Sequence, residues 1–228
     1  MSIGLKPKKQ QTNQSIHYKS IEKGKRMIHI TEEIPRKVAV AVSGGIDSMA
    51  VLDFLRRSHE VVALHFNHGT PYAPDAEKHV RYYCDENNIL LITGRSQEKM
   101  PDGVSKEAWW REQRYKFFEE ATNLPIITAH HLDDVVENWI FTSLNGNPFL
   151  IPSRRGKYIR PFLTTDKQDF TLWCIRKQVS TIGDPSNDDT KFRRNYIRHT
   201  MMPHILQINP GIKKTIKKKI LDRQRSSG

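Results

Sequence analysis

Two cysteines stand in 228 residues, Cys84 and Cys174, far apart along the chain and in no metal or redox spacing. That scarcity excludes a disulfide scaffold and a cysteine-ligated zinc site, and fits a reducing compartment. No apolar run approaches the ~20 residues a membrane-spanning helix needs. The first residues are rich in lysine and have no apolar h-region, so no secretory signal is expected. The expectation is a cytoplasmic protein; the single acid among residues 1–26 keeps an organellar leader, and so a stroma or matrix, open. Internal repeats and extended low-complexity tracts are absent too.

What is abundant is positive charge, and its placement is uneven. The net charge is +12. Residues 1–26 and residues 203–228 each hold seven Lys/Arg and one acid, so the body between them is balanced. Within that body, 27–149 carries 12 basic and 18 acidic residues, whereas 150–202 carries 11 and 5. An acidic front, a basic back and two basic ends predict a polyanionic partner held away from the front. Lys213, Lys214, Lys217, Lys218 and Lys219 would paint much of a helix positive; a solubilising tail explains them about as well. The expected division is a basic extension over 1–30, a catalytic domain over 31–212 and a basic tail over 213–228.

The most informative segment is Val38-Ala39-Val40-Ala41-Val42 running into Ser43-Gly44-Gly45-Ile46-Asp47-Ser48. An apolar run that ends at two glycines and continues into helically spaced apolar residues predicts a buried strand, a tight turn and a helix. Such a turn aims backbone N–H groups and the positive end of the helix dipole at one spot, which suits phosphate. No Gly-Lys-Ser/Thr follows, so the loop is not a Walker A sequence, and the three glycines of a dinucleotide fingerprint are missing. Ser-Gly-Gly-x-Asp-Ser is similar to the loop of the ATP pyrophosphatases. On that resemblance Ser43, Ser48 and the Gly44, Gly45 and Ile46 backbone hold phosphates of ATP, and Asp47 positions Mg²⁺.

Further strands are expected at 61–66, 89–92 and 125–129, alternating with helices at 74–87, 104–122 and 131–144. Short strands alternating with helices predict an α/β fold, a doubly wound, mostly parallel sheet with helices on both faces. Ligands of such sheets lie beyond the carboxyl ends of the strands. Residues 145–165, punctuated by Gly146, Pro148, Pro152, Gly156 and Pro161, read as a loop-rich surface excursion. A short helix follows at 166–179, a turn at 183–187, and a basic helix over 191–208 that Pro203 interrupts.

The polar residues cluster after the strands. Asn67-His68-Gly69 ends the second one, where a nucleotide base can lie against backbone groups. Glu107, Arg111 and Arg114 share a helix face, as a phosphate-binding guanidinium with its orienting carboxylate or as a solvated pair. His130-His131-Leu132-Asp133-Asp134 with Glu137 puts two histidines and three carboxylates at a helix start. Dipole complementarity accounts for one carboxylate but not all three. The spacing matches no structural zinc pattern; an acidic pocket for an amine or for Mg²⁺ is expected. Arg194 and Arg198 suit phosphate or RNA backbone.

Together these segments resemble the tRNA(Ile)-lysidine synthetases. The resemblance rests on 43–48, His-Phe-Asn-His-Gly at 65–69, Glu-Ala-Trp-Trp-Arg-Glu-Gln-Arg-Tyr at 107–115 and Thr-Ala-His-His-Leu-Asp-Asp at 128–134. Arg-Pro-Phe-Leu at 160–163, Asp-Pro-Ser-Asn at 184–187, Arg-Asn-Tyr-Ile-Arg-His at 194–199 and Asn-Pro-Gly at 209–211 complete it. It implies a PP-loop, adenine nucleotide alpha-hydrolase-like fold and ATP-dependent joining of free L-lysine to the wobble cytidine of tRNA(Ile) with a CAU anticodon. It also implies an adenylated intermediate and release of pyrophosphate and AMP. Asp47, Arg111, His130, Asp134 and Glu137 are then the expected catalytic set. Asn67 lies with the nucleotide, while Asp133, Arg194, Arg198, Lys213 and Lys217 contact the amine or tRNA. Three departures stand out: Trp109-Trp110 where the family has small residues, Asn138 in place of a frequent Thr, and the shorter length. A tRNA thiolase of the same superfamily, an ammonia-using amide synthetase and an inactive RNA-binding module are the rival readings.

Overall fold

The computed structural model describes residues 28–96, 100–183, 185 and 189–227. Most of the basic extension over 1–30, and Asp184, Ser186 and Asn187 of the turn motif, therefore lie outside the described residues. Six strands form one sheet in the order β3-β2-β1-β4-β6-β5. They are β1 (Lys37–Ala41), β2 (Glu60–Asn67), β3 (Leu90–Arg95), β4 (Ile126–Ile127), β5 (Arg154–Arg155) and β6 (Tyr158–Ile159). All neighbours run parallel except β5, which is antiparallel to β6 at the edge. The helices are α1 (Ile46–Leu55), α2 (Ala73–Glu86), α3 (Lys106–Ala121), α4 (Leu132–Leu144), α5 (Lys167–Lys177), α6 (Arg193–Tyr196), α7 (Met202–Ile208) and α8 (Ile212–Ser227), with a π-helical turn over Ile197–Met201 between α6 and α7.

The period of two in β1 sorts its side chains between two cores. Val38, Val40 and Val42 pack with α1, α2 and α5 through Met49, Leu52, Val80 and Phe170. Ala39 faces the other way, with Leu64, Phe118, Ile126 and Tyr158, against α3. Gly94 in β3 lies under this second face, where a Cβ would run into the Phe117 ring. A third cluster joins α4 to α8 through Val135, Val136, Ile140, Ile216 and Ile220. Helices thus cover both faces, as expected from the alternation.

Two expectations change. Residues 145–165 are not merely a surface excursion: they contain β5 and β6, and Tyr158, Ile159, Arg160, Phe162 and Leu163 are buried. The strands escaped recognition because each is two residues long and is flanked by Gly156 and Pro161. Residues 213–227, read as a tail, lie in α8, whose Ile216 and Ile220 are 1% and 4% exposed. Pro203 sits in the first turn of α7, where its missing N–H costs no helical hydrogen bond.

Candidate active site

The loop after β1 is preformed. Gly44 takes φ +89°, and a Cβ there would meet Ile182 Cγ2 at 2.8 Å, so both the backbone and the space require glycine. Ile182 N donates to Gly44 O at 2.9 Å and ties the loop to the segment after α5. Ser43 N donates to Ser48 Oγ at 3.0 Å, and Ser48 Oγ to Gly45 O at 3.0 Å. The two hydroxyls lie 3.1 Å apart. With Gly45 as N-cap of α1, the amides of Ile46, Asp47 and Ser48 occupy its first turn. Such amides have no acceptor within their own helix and face outward.

Asp47, in that turn, reaches the start of α4. Its Oδ2 lies 3.6 Å from His131 Nε2 and 3.9 Å from Lys167 Nζ, while its Oδ1 is buried with no hydrogen-bond partner. A buried, unpartnered carboxylate oxygen beside a phosphate-type loop fits a hard cation. Among the described residues no group of three or more His, Cys, Asp or Glu forms a metal cage. Mg²⁺ needs none, since it uses one or two carboxylates and completes its shell with phosphates and water.

His131 is the N-cap of α4, and its backbone N donates to Asp134 Oδ2 at 3.0 Å. His131 is 1% exposed. Its Nδ1 is 3.7 Å from Asp133 Oδ2 and its Nε2 3.5 Å from Asp134 Oδ2. Burial opposes its charge, yet Asp134, Asp47 and Asp133 together hold its pKa above the ordinary value. His130 is the opposite case. Its Nδ1 lies 2.8 Å from Thr128 Oγ1. Removal from water is the largest influence on it, and with Arg160, Arg194 and Arg111 takes its pKa down to about 4 against the pull of Asp134. Neighbouring histidines are thus pushed in opposite directions: the carboxylates raise the pKa of His131, while burial and the guanidiniums lower that of His130 to about 4.

Of the other expected residues, Glu137 is 3% exposed and gives both carboxylate oxygens to Arg198, at 2.7 and 2.9 Å. Burial pushes the Glu137 carboxyl up while Arg198 pulls it down. Arg198 also lies 3.6 Å from Asp134 Oδ1. The structure brings Arg198 to the carboxylates rather than leaving it on a solvent face. Lys213 likewise turns inward: its ammonium is held by Asp133 and, at 3.3 Å, by Asp166. Burial opposes ionisation of Asp133, but Lys213 and the Lys167 backbone N–H, 3.1 Å away, keep its carboxyl below the usual range. Lys217 is on α8 and only partly exposed. Asn67 holds its own turn, donating to Glu77 Oε2 and accepting from Gly69 N, both at 2.9 Å.

Arg111 is not paired with Glu107; its guanidinium lies 4.8 Å from the Tyr115 ring centre. Trp110, half-buried, stacks against His68 at 5.5 Å with Lys106 at 4.5 Å on its ring. Asn138 donates to Phe149 O at 3.0 Å. Residues that sequence reasoning left out of the site are Lys167, Asp166 and Arg160. Arg160 had a readable signal, a lone charge inside the apolar run 158–163; the two others had none.

A glycine-cornered loop feeding α1, with an orphaned aspartate oxygen beside it at the carboxyl edge of a parallel sheet, defines a phosphate-handling class of α/β domain. A family profile for the PP-loop domain matches residues 15–205, and the chain belongs to that family. Among curated proteins it is similar to the tRNA(Ile)-lysidine synthase of Francisella philomiragia, at 32% identity over 86% of this chain and 52% of that protein. It is also similar to that of Bacillus subtilis, at 34% identity over 79% and 43%. The chain spans about half the length of these relatives. Among solved structures, the U34-tRNA thiolase NcsA from Methanococcus maripaludis with its [4Fe-4S] cluster superposes with a TM-score of 0.66. That match has 17% identity and covers 83% of this chain and 72% of that one; it supports the fold.

Proposed function

We propose that this domain uses ATP to activate the wobble cytidine of an isoleucine tRNA with a CAU anticodon and joins it to free lysine, forming lysidine. The observation that carries the reading is the alignment of the loop after β1 with Asp47, whose buried Oδ1 has no partner. The likeness to lysidine synthases supports the substrate.

In this reading the cytidine O2 bonds to the α-phosphorus of ATP and pyrophosphate leaves. The lysine ε-amine then forms the C2–N bond as AMP departs, and the amine loses its proton. The Gly44–Ser48 loop and the first-turn amides of α1 bind the departing pyrophosphate. Asp47 holds Mg²⁺, which when bound supplies neutralising charge to the phosphates. Arg111 meets phosphate at the adenylate. His130, neutral at pH 7, accepts the amine proton once bound substrate phosphate offsets the guanidiniums that, with burial, weaken it as a base. Asp134 holds the ammonium of lysine before transfer. Glu137, with both oxygens on Arg198, positions that guanidinium rather than binding lysine itself.

The thiolase reading is weaker. A [4Fe-4S] cluster is held by cysteine thiolates, and the only two cysteines here, Cys84 and Cys174, are both buried. Burial pushes their thiols up to about 11 and about 12, far from reactive thiolates. The test is tRNA-dependent ATP–pyrophosphate exchange followed by incorporation of radiolabelled lysine. Asp47→Ala is expected to abolish both with the fold retained by circular dichroism. Undiminished lysine transfer by that variant would overturn the reading. Asp134→Asn with an unchanged apparent lysine affinity would remove only the role given to Asp134.

A further inference from the structure

Trp110 lies in α3 but serves none of the three cores. Of that helix only Gln113 and Phe118 are buried, and among the described residues Trp110 joins no apolar cluster. Its ring instead tops a column of aromatic side chains that leads to the carboxyl end of β2. Phe117 meets Phe66 at 5.7 Å, Phe66 meets His68 at 5.0 Å, and His68 meets Trp110 at 5.5 Å. Lys106, one turn earlier in α3 and exposed, lays its ammonium 4.5 Å from the Trp110 ring centre. The next residue, Arg111, acts on His130, so the column ends beside the reaction centre.

A half-buried indole outside any core keeps aromatic surface for a guest. The Lys106 ammonium on it is a strongly hydrated point charge on a flexible stem, and such a cation on an exposed ring is worth about two- to fivefold in an equilibrium. A base stacked on an aromatic side chain is worth about five- to 150-fold. A base therefore displaces the lysine, whose charge stays at hand for the phosphate beside it. We propose that Trp110, backed by His68 and Phe66, is a stacking platform for an unpaired RNA base that flanks the reacting cytidine.

Two features select that guest. Successive side chains of β2 point to opposite faces: Asn67 turns to Glu77 of α2, whereas Phe66 turns to Phe117 of α3. The phosphate loop belongs to the α2 side, since a Cβ at Gly44 would lie 3.6 Å from Val80. ATP on that loop leaves the α3 side of the sheet edge to the other substrate. A protein surface suits the ring less. Its neighbours on α3, Lys106, Glu107, Arg111 and Glu112, are exposed and charged, not the wide apolar patch that a protein interface buries. Bases splayed from an RNA loop, by contrast, are held on single aromatic rings. The inference rests on the reading of this domain as one that acts on RNA.

The test uses the full chain and its Trp110→Ala and Trp110→Phe variants. The probes are a hairpin RNA carrying a CAU anticodon loop, the same hairpin made abasic at the nucleotide before or after the cytidine, and Mg-ATP. Trp110→Ala should weaken binding of the intact hairpin about tenfold and leave the slope of log affinity against log salt unchanged, because a stacked ring neutralises no phosphate. Trp110→Phe keeps a ring and should bind within about threefold of the parent. One abasic hairpin should lose about tenfold against the parent and nothing further against Trp110→Ala, a coupling that a merely structural tryptophan would not show. ATP affinity should stay within about twofold, the ring being on the other side of the sheet edge. Stacking should also quench the Trp110 emission, read as the part of the parent's quenching that Trp110→Phe no longer shows; absence of that part would overturn the platform even if Trp110→Ala failed to fold. Abasic losses that are the same in the parent and in Trp110→Ala would overturn it too, and an equal loss of ATP affinity would give the ring to adenine instead. If the parent binds no hairpin, the proposed function falls with it; if the parent binds and the ring makes no difference, only the platform falls.

Discussion

Removal of residues 213–227 would look, from the sequence, like a clean way to strip basic charge from this protein. The packing of α8 predicts a different result. Ile216 and Ile220 are 1% and 4% exposed and lie against Val135, Val136 and Ile140 of α4. Exposing or deleting a fully buried Ile forfeits about 1.5–3 kcal/mol, so the two together forfeit on the order of 3–6 kcal/mol. The partner face on α4 would be uncovered as well. Gln224 also donates to Thr31 O at 3.1 Å and Arg223 to Leu150 O at 3.3 Å, tying α8 to two further segments. A domain of this size is stable by about 5–15 kcal/mol, and each kcal/mol moves its melting temperature by about 2–4 °C. Truncation should therefore lower the melting temperature by about 10 °C or more, before any effect on RNA is measured.

The informative perturbation is Lys214→Ser with Lys218→Ser, because both side chains are exposed on the outer face of α8. This double variant should melt within about 2 °C of the parent, since exposed substitutions rarely shift stability further. If α8 touches RNA, its salt slope falls by about 0.7–0.9 for each phosphate that the helix no longer neutralises. Differential scanning calorimetry and a salt series of binding isotherms measure the two quantities. A truncated chain that melts with the parent would refute the packing argument.

Two further outcomes follow from the same geometry. Lys213→Met should reduce the rate of pyrophosphate exchange and leave the salt slope of RNA binding unchanged, because the Lys213 ammonium is engaged by Asp133 and Asp166; Lys213→Arg should restore most of the rate, and a slope that falls by about one would instead place Lys213 on the RNA. Asp53, 1% exposed, accepts from Tyr83 at 2.7 Å and Trp173 at 2.8 Å and pairs with Arg56 and Arg57. Burial opposes its ionisation, but these partners hold its carboxyl below the usual range. Its stabilisation is therefore complete above the unfolded carboxylate value near ~4 and is lost as pH falls through the folded value. Asp53→Asn should lower stability at pH 7 by about 3 kcal/mol and flatten the acid limb in urea titrations; an acid limb identical to the parent's would discard the assignment.

How far the sequence carried the fold depended on length and contrast. Strand β1 was legible because Val38, Ala39, Val40 and Val42 form an unbroken apolar run that stops at Gly44 and Gly45. Strand β6 was not, because two residues between Gly156 and Pro161 give no periodicity to read. The direction of Lys213 was partly legible: Ile212, Ile216 and Ile220 recur every four residues and mark the buried stripe, with Lys213 and Lys217 beside it and Lys214 and Lys218 away from it. The pairing of Glu137 with Arg198 was out of reach. It joins residues 61 positions apart and depends on the π-helical turn after α6, which no local pattern announces.

The two histidines show how a short sequence can separate two kinds of chemistry. His131 lies in extended backbone, with φ −126° and ψ −179°, so its side chain and that of His130 leave the chain in opposite directions. One imidazole enters a ring of carboxylates with Asp47, which raise its pKa against burial; the other is out of water among guanidiniums, and its pKa falls to about 4. On the proposed reading the first step needs fixed charge around departing pyrophosphate, and the second needs an unprotonated acceptor for the amine. A single imidazole at one pKa would serve one step at the expense of the other. Exchange of their environments is therefore a sharper probe than deletion: Arg160→Met relieves His130 of one guanidinium and should raise its pKa, readable by the titration of its ring protons in NMR, while leaving His131 where it is.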